Sequence, residues 1–396
     1  MKTIKTKVER VLLLVALVPL LFLGAYVYVA TSQTLTASSE ENLHRQVELL
    51  GGSMAGVLKH VPGDLRYLRD SASMFQYGRA LVIKDQNVLD VNGRSMARDF
   101  LSMVRNRGIY SQIRFIGADG KELIRVEHNE DEGFSRILQP EQLRDKRNSP
   151  YFKAASKLGM GEVYVSSVDL NQENGRKDAA KFPTIRFASP VYAVGDRLVG
   201  VLMLSVDANQ FLRQVTRESD ASAVNFMMVD DQGFFIAHQD ESLLWGSDQN
   251  LAHGRGLVTM YADMAEPVIT ATQATMFSVS DSIVATQPVV TADELRAPLG
   301  RLIAVAPKSE VLKLVNQFLI ALAVFIVVAL VAVFFVAKKL SGSLTSPLIK
   351  LTKVAEELSR GEVDTPIEIK SNDEVQRLAE AFERLRTSLK ILMRLD

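Results

Sequence analysis

The sequence predicts an α+β protein with a sheet-rich region held between two membrane-spanning helices, followed by a short helical module. Three observations carry this: two long runs without a charged residue, hairpin turns punctuating the stretch between them, and two heptad-spaced apolar seams after the second run.

Residues 11–30 and 314–337 contain no Asp, Glu, Lys or Arg. About 20 helical residues cross the hydrocarbon core of a bilayer, and a soluble core helix of that length normally shows charges on one face. A cleavable signal peptide would have an apolar stretch of only about 7–15 residues and a small-residue cleavage site, so an uncleaved anchor is expected. Lys2, Lys5, Lys7 and Arg10 precede the first run, and Lys338 and Lys339 follow the second. Basic flanks mark the cytoplasmic side. The expected layout is a cytoplasmic N-terminus (1–10), a first span (11–30), an extracytoplasmic region (31–313), a second span (314–337) and a cytoplasmic module (338–396).

Composition narrows the function classes. Lys plus Arg and Asp plus Glu number 46 each, so no bulk charge points to nucleic acid. There is no cysteine, which excludes disulfides and thiolate catalysis. The five histidines are scattered, and neither a metal site nor a cofactor is expected. No nucleophile elbow, zincin helix or phosphate-cradling glycine loop is present, so no enzymatic activity is expected.

Outside the first span, residues 33–79 read as a long amphipathic helix. Leu43, Val47, Leu50, Met54, Val57, Val61, Leu65 and Leu68 recur at three- and four-residue steps. Gly51-Gly52 and Pro62-Gly63 are expected to kink or break it. The seam either packs on its own domain or is shared with a second protomer. A helical stretch at 95–107 precedes strands at 110–117 and 122–127, which flank the hairpin turn Ala118-Asp119-Gly120-Lys121. Residues 142–158 are mixed and partly helical. Strands are expected at 161–170, 184–192 and 198–206, with a polar connection at 171–181. This gives a distal module of about 80–206. A helix at 207–218 leads to a weaker copy of the plan at about 219–308. There, strands at 223–229 and 234–238 flank Asp230-Asp231-Gln232-Gly233, a helical stretch covers 257–272, and strands follow at 276–280, 282–290 and 300–307.

Within the distal module run Ile113-Arg114-Phe115-Ile116, Leu123-Ile124-Arg125-Val126-Glu127, Tyr151-Phe152, Gly161-Glu162-Val163-Tyr164-Val165-Ser166, Asp169-Leu170-Asn171 and Ile185-Arg186-Phe187-Ala188-Ser189-Pro190-Val191. Together these resemble the double Cache (PAS-like) sensor regions of bacterial receptors; the proximal half, with its Leu244-Trp245-Gly246 run, does so less specifically. The resemblance implies a periplasmic sensor on the inner (plasma) membrane of a bacterium, a homodimer, and a small-molecule ligand in the distal module. The Tyr-x-x-x-x-Arg-x-Trp-Tyr string of amino-acid-binding double Cache receptors is absent, so an amino-acid ligand is not supported.

Candidate ligand residues come from strand alternation. Thr184, Arg186 and Ala188 share one face, and Ile185, Phe187 and Ser189 the other. An arginine in an apolar strand must reach solvent, pair with an acid or meet an anionic ligand. Arg114 and Arg125 raise the same question, and Tyr151, Tyr164 and Asp169 could line a pocket beside them.

After the second span, Leu348, Leu351, Ala355 and Leu358 form one seam, Gly361 ends its helix, and Val363 and Ile367 punctuate an extended connector. Ser371-Asn372-Asp373-Glu374 is a helix-start signature, and Val375, Leu378, Phe382, Leu385, Leu389 and Leu392 form a second seam. A lone helix in water cannot satisfy such seams, so a parallel four-helix bundle in a dimer is expected. With Pro347, Gly361 and Asp373-Glu374 in place, the module resembles a HAMP domain; Gln376 stands where that family often has glycine. The expected function is reception of an extracytoplasmic stimulus, relayed through HAMP to a separate cytoplasmic partner. The alternatives are the sensor part of a longer histidine kinase, diguanylate cyclase or chemoreceptor, and a binding module with a passive spacer.

Overall fold

The structure, a computed structural model, describes residues 4–129, 133–170, 172–173, 176–177, 182–291, 294–340, 346–369 and 374–392. The chain divides into two compact units, residues 37–311 and residues 1–36 with 312–396.

In the first unit, four helices precede the sheet. α1 (Ile4–Leu58) enters from the other unit, and α2 (Val61–Arg69), α3 (Ala72–Ile83) and α4 (Gln86–Arg107) follow. The expected break at Gly51-Gly52 does not occur, because glycine inside a helix costs only about 1 kcal/mol and the apolar seam continues through it. The helix breaks instead at Lys59-His60, with Pro62 in the first turn of α2, where its missing N–H costs nothing. A second break falls before Ser71, whose hydroxyl accepts from Met74 N at 3.3 Å and caps α3. Asp85 caps α4 through Asn87 N and Val88 N, both at 3.1 Å, and Gly108 ends it at φ 66°. α4 therefore starts well before residue 95.

The distal sheet contains β1 (Tyr110–Gly117), β2 (Glu122–Asn129), β3 (Phe134–Ile137), β4 (Tyr164–Val165), β5 (Asp169–Leu170), β8 (Pro183–Ala193) and β9 (Arg197–Asp207). Its order is β3-β2-β1-β9-β8-β4, with β5 also on β8, and every pair is antiparallel. The strand expected at 161–170 shrinks to the two-residue β4 and β5; between them Ser166 N still donates to Arg186 O, but the Arg186 N–H goes to the Ser166 hydroxyl in place of a backbone carbonyl. α5 (Pro150–Ala155) lies between β3 and β4, and a small ribbon pairs β6 (Gln172–Glu173) with β7 (Arg176–Lys177). The rest of the 171–181 connection lies outside the described residues.

α6 (Asn209–Ala221) leads to β10 (Asn225–Val229), β11 (Phe235–Ala237), α7 (Leu257–Met260), α8 (Ala262–Thr270), β12 (Thr275–Val279), β13 (Ser282–Val290), β14 (Pro298–Pro307) and the short α9 (Lys308–Val311). The helical stretch at 257–272 is split at Tyr261. The proximal sheet, β11-β10-β14-β13-β12, repeats the distal order β2-β1-β9-β8-β4. In each, the first hairpin sits beside the last strand of the module.

One apolar core runs through both modules. Leu43, Val47, Met54 and Leu58 of α1 and Val61, Leu65 and Leu68 of α2 are buried in it with Phe100, Phe115, Phe187, Leu204, Phe226 and Leu302. The helical seam is thus covered by its own chain. Each such side chain contributes about 1.5–3 kcal/mol.

In the other unit, α1 and α10 (Lys313–Leu340) are long and apolar enough to cross a membrane. They approach closely at Gly24, where a Cβ would lie 2.7 Å from Leu322 Cδ2. α11 (Ser346–Ser359) carries Pro347 in its first turn, Gly361 follows at φ 88°, and α12 (Glu374–Leu392) completes the pair. Leu351, Val375 and Ala379 are buried together, with Ile367 and Phe382 packed against them. The helix-start residues 371–373 lie outside the described residues.

Candidate ligand-binding face of the distal sheet

Strand alternation decides the site. Ile113, Phe115, Ile185 and Phe187 point into the common core, whereas Arg114 and Arg186 point to the opposite face, which α5 and β4 cover. Arg114 lies directly across from Arg125 on β2 and Met203 on β9, and Arg186 across from Ser205. Two arginines opposite each other would repel. A bulge after Phe115 brings Glu122 opposite Ile116 and so next to both.

Glu122 resolves the conflict. Its Oε1 is 3.3 Å from Arg114 Nη1 and its Oε2 3.8 Å from Arg125 Nη1; Oε2 also accepts from Arg144 N at 3.0 Å. Arg125 reaches Glu127 at 2.9 Å, and Glu127 holds Arg136 at 2.8 Å. Arg114 also donates to Gln112 Oε1 and to the Tyr151 hydroxyl, the latter at 3.4 Å. Tyr151 is the bridge: its ring lies under Arg186, with the guanidinium carbon 5.3 Å from the ring centroid. Arg186 Nη1 donates to both Asp169 oxygens, at 2.8 and 2.9 Å. Tyr164, opposite Ala188, packs with Tyr151 against Ile116, Phe152 and Met203.

All six residues singled out in the sequence therefore meet on one face, but in two roles. Arg114 (2% exposed) and Arg125 are buried in a carboxylate-bridged network. The Asp169 side chain keeps 35% of its surface exposed and opens the Arg186–Asp169–Tyr151 cluster to solvent. Burial raises the Asp169 carboxyl above its ordinary value, opposed by Arg186; burial likewise raises the Tyr164 phenol. Gln112, Glu122, Glu127 and Arg136 escaped sequence reasoning. The signal for Glu122 was an acid two residues past a hairpin glycine, at the start of the strand that carries Arg125.

The same counting maps the face onto the proximal sheet. Gly120 and Gly233 occupy matching turn positions, both at φ 86°, so Arg114 corresponds to Met227; their partners Met203 and Ile303 agree. Glu122 then corresponds to Phe235, Arg125 to His238 and Arg186 to Val284. Met227, Phe235 and Val284 pack with Leu257, Met264 and Val268 as a second apolar core.

A family model for the bacterial histidine kinase sensor domain matches residues 59–261, just over half of the sequence. The chain belongs to this sensor-domain family. A HAMP domain model matches residues 339–390. Among solved structures, a domain of a protein of the sensory box/GGDEF type from Vibrio parahaemolyticus is 23% identical, with a TM-score of 0.59 over 70% of this chain and 98% of that one. The extracellular domain of the histidine kinase vpHK1S-Z8 is 22% identical, with a TM-score of 0.57 over 73% of this chain and 99% of that one. Both likenesses concern the fold. No curated protein matches the chain. A bacterial sensor domain flanked by two apolar helices and joined to a HAMP domain makes this a membrane signal-transduction receptor, and its two recognised modules are signalling modules.

Proposed function

We propose that the histidine-kinase-type sensor of this receptor binds a small extracytoplasmic ligand on the outer face of its distal sheet. Tyr151, Tyr164, Asp169 and Arg186 make the contacts, and Arg114 and Arg125 form the buried scaffold behind them. The observation that carries this is the Arg186–Asp169 pair stacked on Tyr151: a buried guanidinium whose acidic partner faces solvent can exchange partners without exposing the core. Residues 31–313 lie in the periplasm in this reading, residues 11–30 and 314–337 cross the inner membrane, and the basic flanks keep 1–10 and 338–396 cytoplasmic.

Leu348, Leu378 and Leu385 are 44%, 42% and 51% exposed on the HAMP helices, and a second copy of the chain would cover them in a parallel four-helix bundle. The relay acts by conformation and is read by a cytoplasmic signalling partner. A ligand that prefers one packing by about 1–3 kcal/mol suffices to switch it.

The test is a thermal-shift screen of the full chain in lipid nanodiscs against small-molecule libraries. A hit whose shift disappears in Arg186→Ala and Tyr151→Ala supports the site; a hit that survives both removes it. Leu385→Lys is expected to abolish signalling while leaving the shift intact. Unaltered signalling would favour a passive spacer.

A further inference from the structure

The array above uses one face of the distal sheet. Where the α3–α4 hairpin crosses the edge formed by β2 and β3, the other face carries a separate cleft of about 740 Å³, within the range of about 300–1,000 Å³ typical of ligand sites. Leu81, Leu89, Ala97, Leu123, Ile137 and Leu143 supply apolar walls.

Tyr77 lines this cleft and is only 7% exposed. Its ring packs edge-on against Phe115, 5.8 Å between centroids, and rests on Gly93, where a Cβ would lie 3.2 Å from Tyr77 Cε2. Among the described residues its hydroxyl has no protein hydrogen-bond partner, and the oxygen is not sealed from solvent, so it is reachable from the cleft. Burial and the nearby Asp90 charge push the phenol up to about 12, so it stays a donor.

At the rim, Arg94 and Arg98 stand one turn apart on α4, both exposed and neither ion-paired with a carboxylate among the described residues. Asp90, the acid of the cleft, accepts from Gln86 Nε2 at 2.9 Å. Two guanidiniums against one engaged carboxylate favour an anionic guest over a cationic one.

We propose that this cleft is a second ligand site, taking an amphiphilic carboxylate with one hydrogen-bonding oxygen on its apolar body. The body lies against the leucine walls, the carboxylate meets Arg94 and Arg98, and the oxygen accepts from Tyr77. The site is independent of the Arg186 cluster.

Isothermal titration of the full chain in nanodiscs, with empty nanodiscs as blank, tests it. The probes are hexanoate, octanoate, decanoate, a panel of monohydroxylated decanoates and decyltrimethylammonium. Affinity is expected to rise about fourfold per methylene. At least one hydroxylated decanoate should bind a few-fold to about tenfold tighter than decanoate, an advantage lost in Tyr77→Phe. Arg94→Ala/Arg98→Ala should weaken every carboxylate about tenfold, and Arg197→Ala, at an exposed arginine outside both sites, should leave the affinities unchanged. Heats equal to the blank, equal binding of the cationic amphiphile, or a hydroxyl preference that persists in Tyr77→Phe would each overturn the proposal.

Discussion

The distal and proximal modules share a strand order and a hairpin turn, yet their equivalent sheet faces are built from opposite materials. Where the distal face holds Arg114, Glu122, Arg125 and Arg186, the proximal face holds Met227, Phe235, His238 and Val284. The proximal face is consequently a filled apolar core under α7 and α8. The distal face is a set of buried ions that stays stable only while each charge keeps its partner. A filled core has one low-energy arrangement, whereas an ion network can re-pair when a guest supplies a new partner. In the function proposed above, that difference assigns ligand binding to the distal module.

The most disruptive way to break the contrast is Glu122→Ala. It strips the carboxylate between two buried guanidiniums, and a loss of about 3–5 kcal/mol is expected. Amide exchange should report the loss in β1 and β2. The fluorescence of Trp245, the single tryptophan and a buried residue of the proximal module, should change far less. Equal loss in both modules would show that they unfold as one.

The two turn glycines sharpen the comparison at a smaller scale. Both sit at φ 86°, where a side chain costs about 1 kcal/mol. At Gly120 a Cβ would also lie 2.6 Å from Arg147 Cα, whereas at Gly233 it would lie 3.1 Å from the mobile tip of Ile269. Gly120→Ala should therefore cost about 2–3 kcal/mol and Gly233→Ala about 1 kcal/mol, read as urea midpoints. The reverse order would contradict the close packing of the distal turn on the 145–149 segment.

Smaller effects are tied to pH. Glu383 accepts from Arg386 at 2.6 and 2.9 Å and from Ile367 N at 3.0 Å, and Arg386 donates to Val363 O at 2.6 Å. This clasp fastens the HAMP connector to α12. The Arg386 hydrogen bonds hold the Glu383 carboxyl down near about 2, against 4.5 ordinarily. Its folded value is depressed, so its contribution is complete above 4.5 and is lost as pH falls towards 2. Arg386→Ala should flatten that dependence and raise the protease sensitivity of the connector at neutral pH. Weaker still is His238, whose burial lowers its value below 6.5. Protonation is disfavoured in the fold, so the Trp245 transition should lose stability as pH falls below 6.5, and His238→Gln should remove the slope.

Much of this was legible in the residues. Charge-free length identified both long apolar helices, Asp-Gly and Asp-Asp-Gln-Gly located both hairpins, and three-four spacing gave the HAMP helices, because each signal is local. Of the six candidate site residues, Arg186 came from local alternation, which assigns a face but no partner. The break expected at Gly51-Gly52 failed because packing of the α1 seam outweighed a weak propensity. The strand expected at 161–170 is interrupted where the Ser166 hydroxyl, rather than a backbone carbonyl, takes the Arg186 N–H.

The sequence alone determined the order of the two apolar helices, the sensor–HAMP sequence of modules and the chemistry available on each strand, since these follow from hydropathy, turn chemistry and period. Only the tertiary structure decided that Glu122 joins Arg114 to Arg125, that Tyr151 carries Arg186, and that the proximal equivalents are Met227 and Val284. Those facts depend on register and on a one-residue bulge. A single-residue slip of a strand exchanges its faces, and no local pattern records which residue stands opposite.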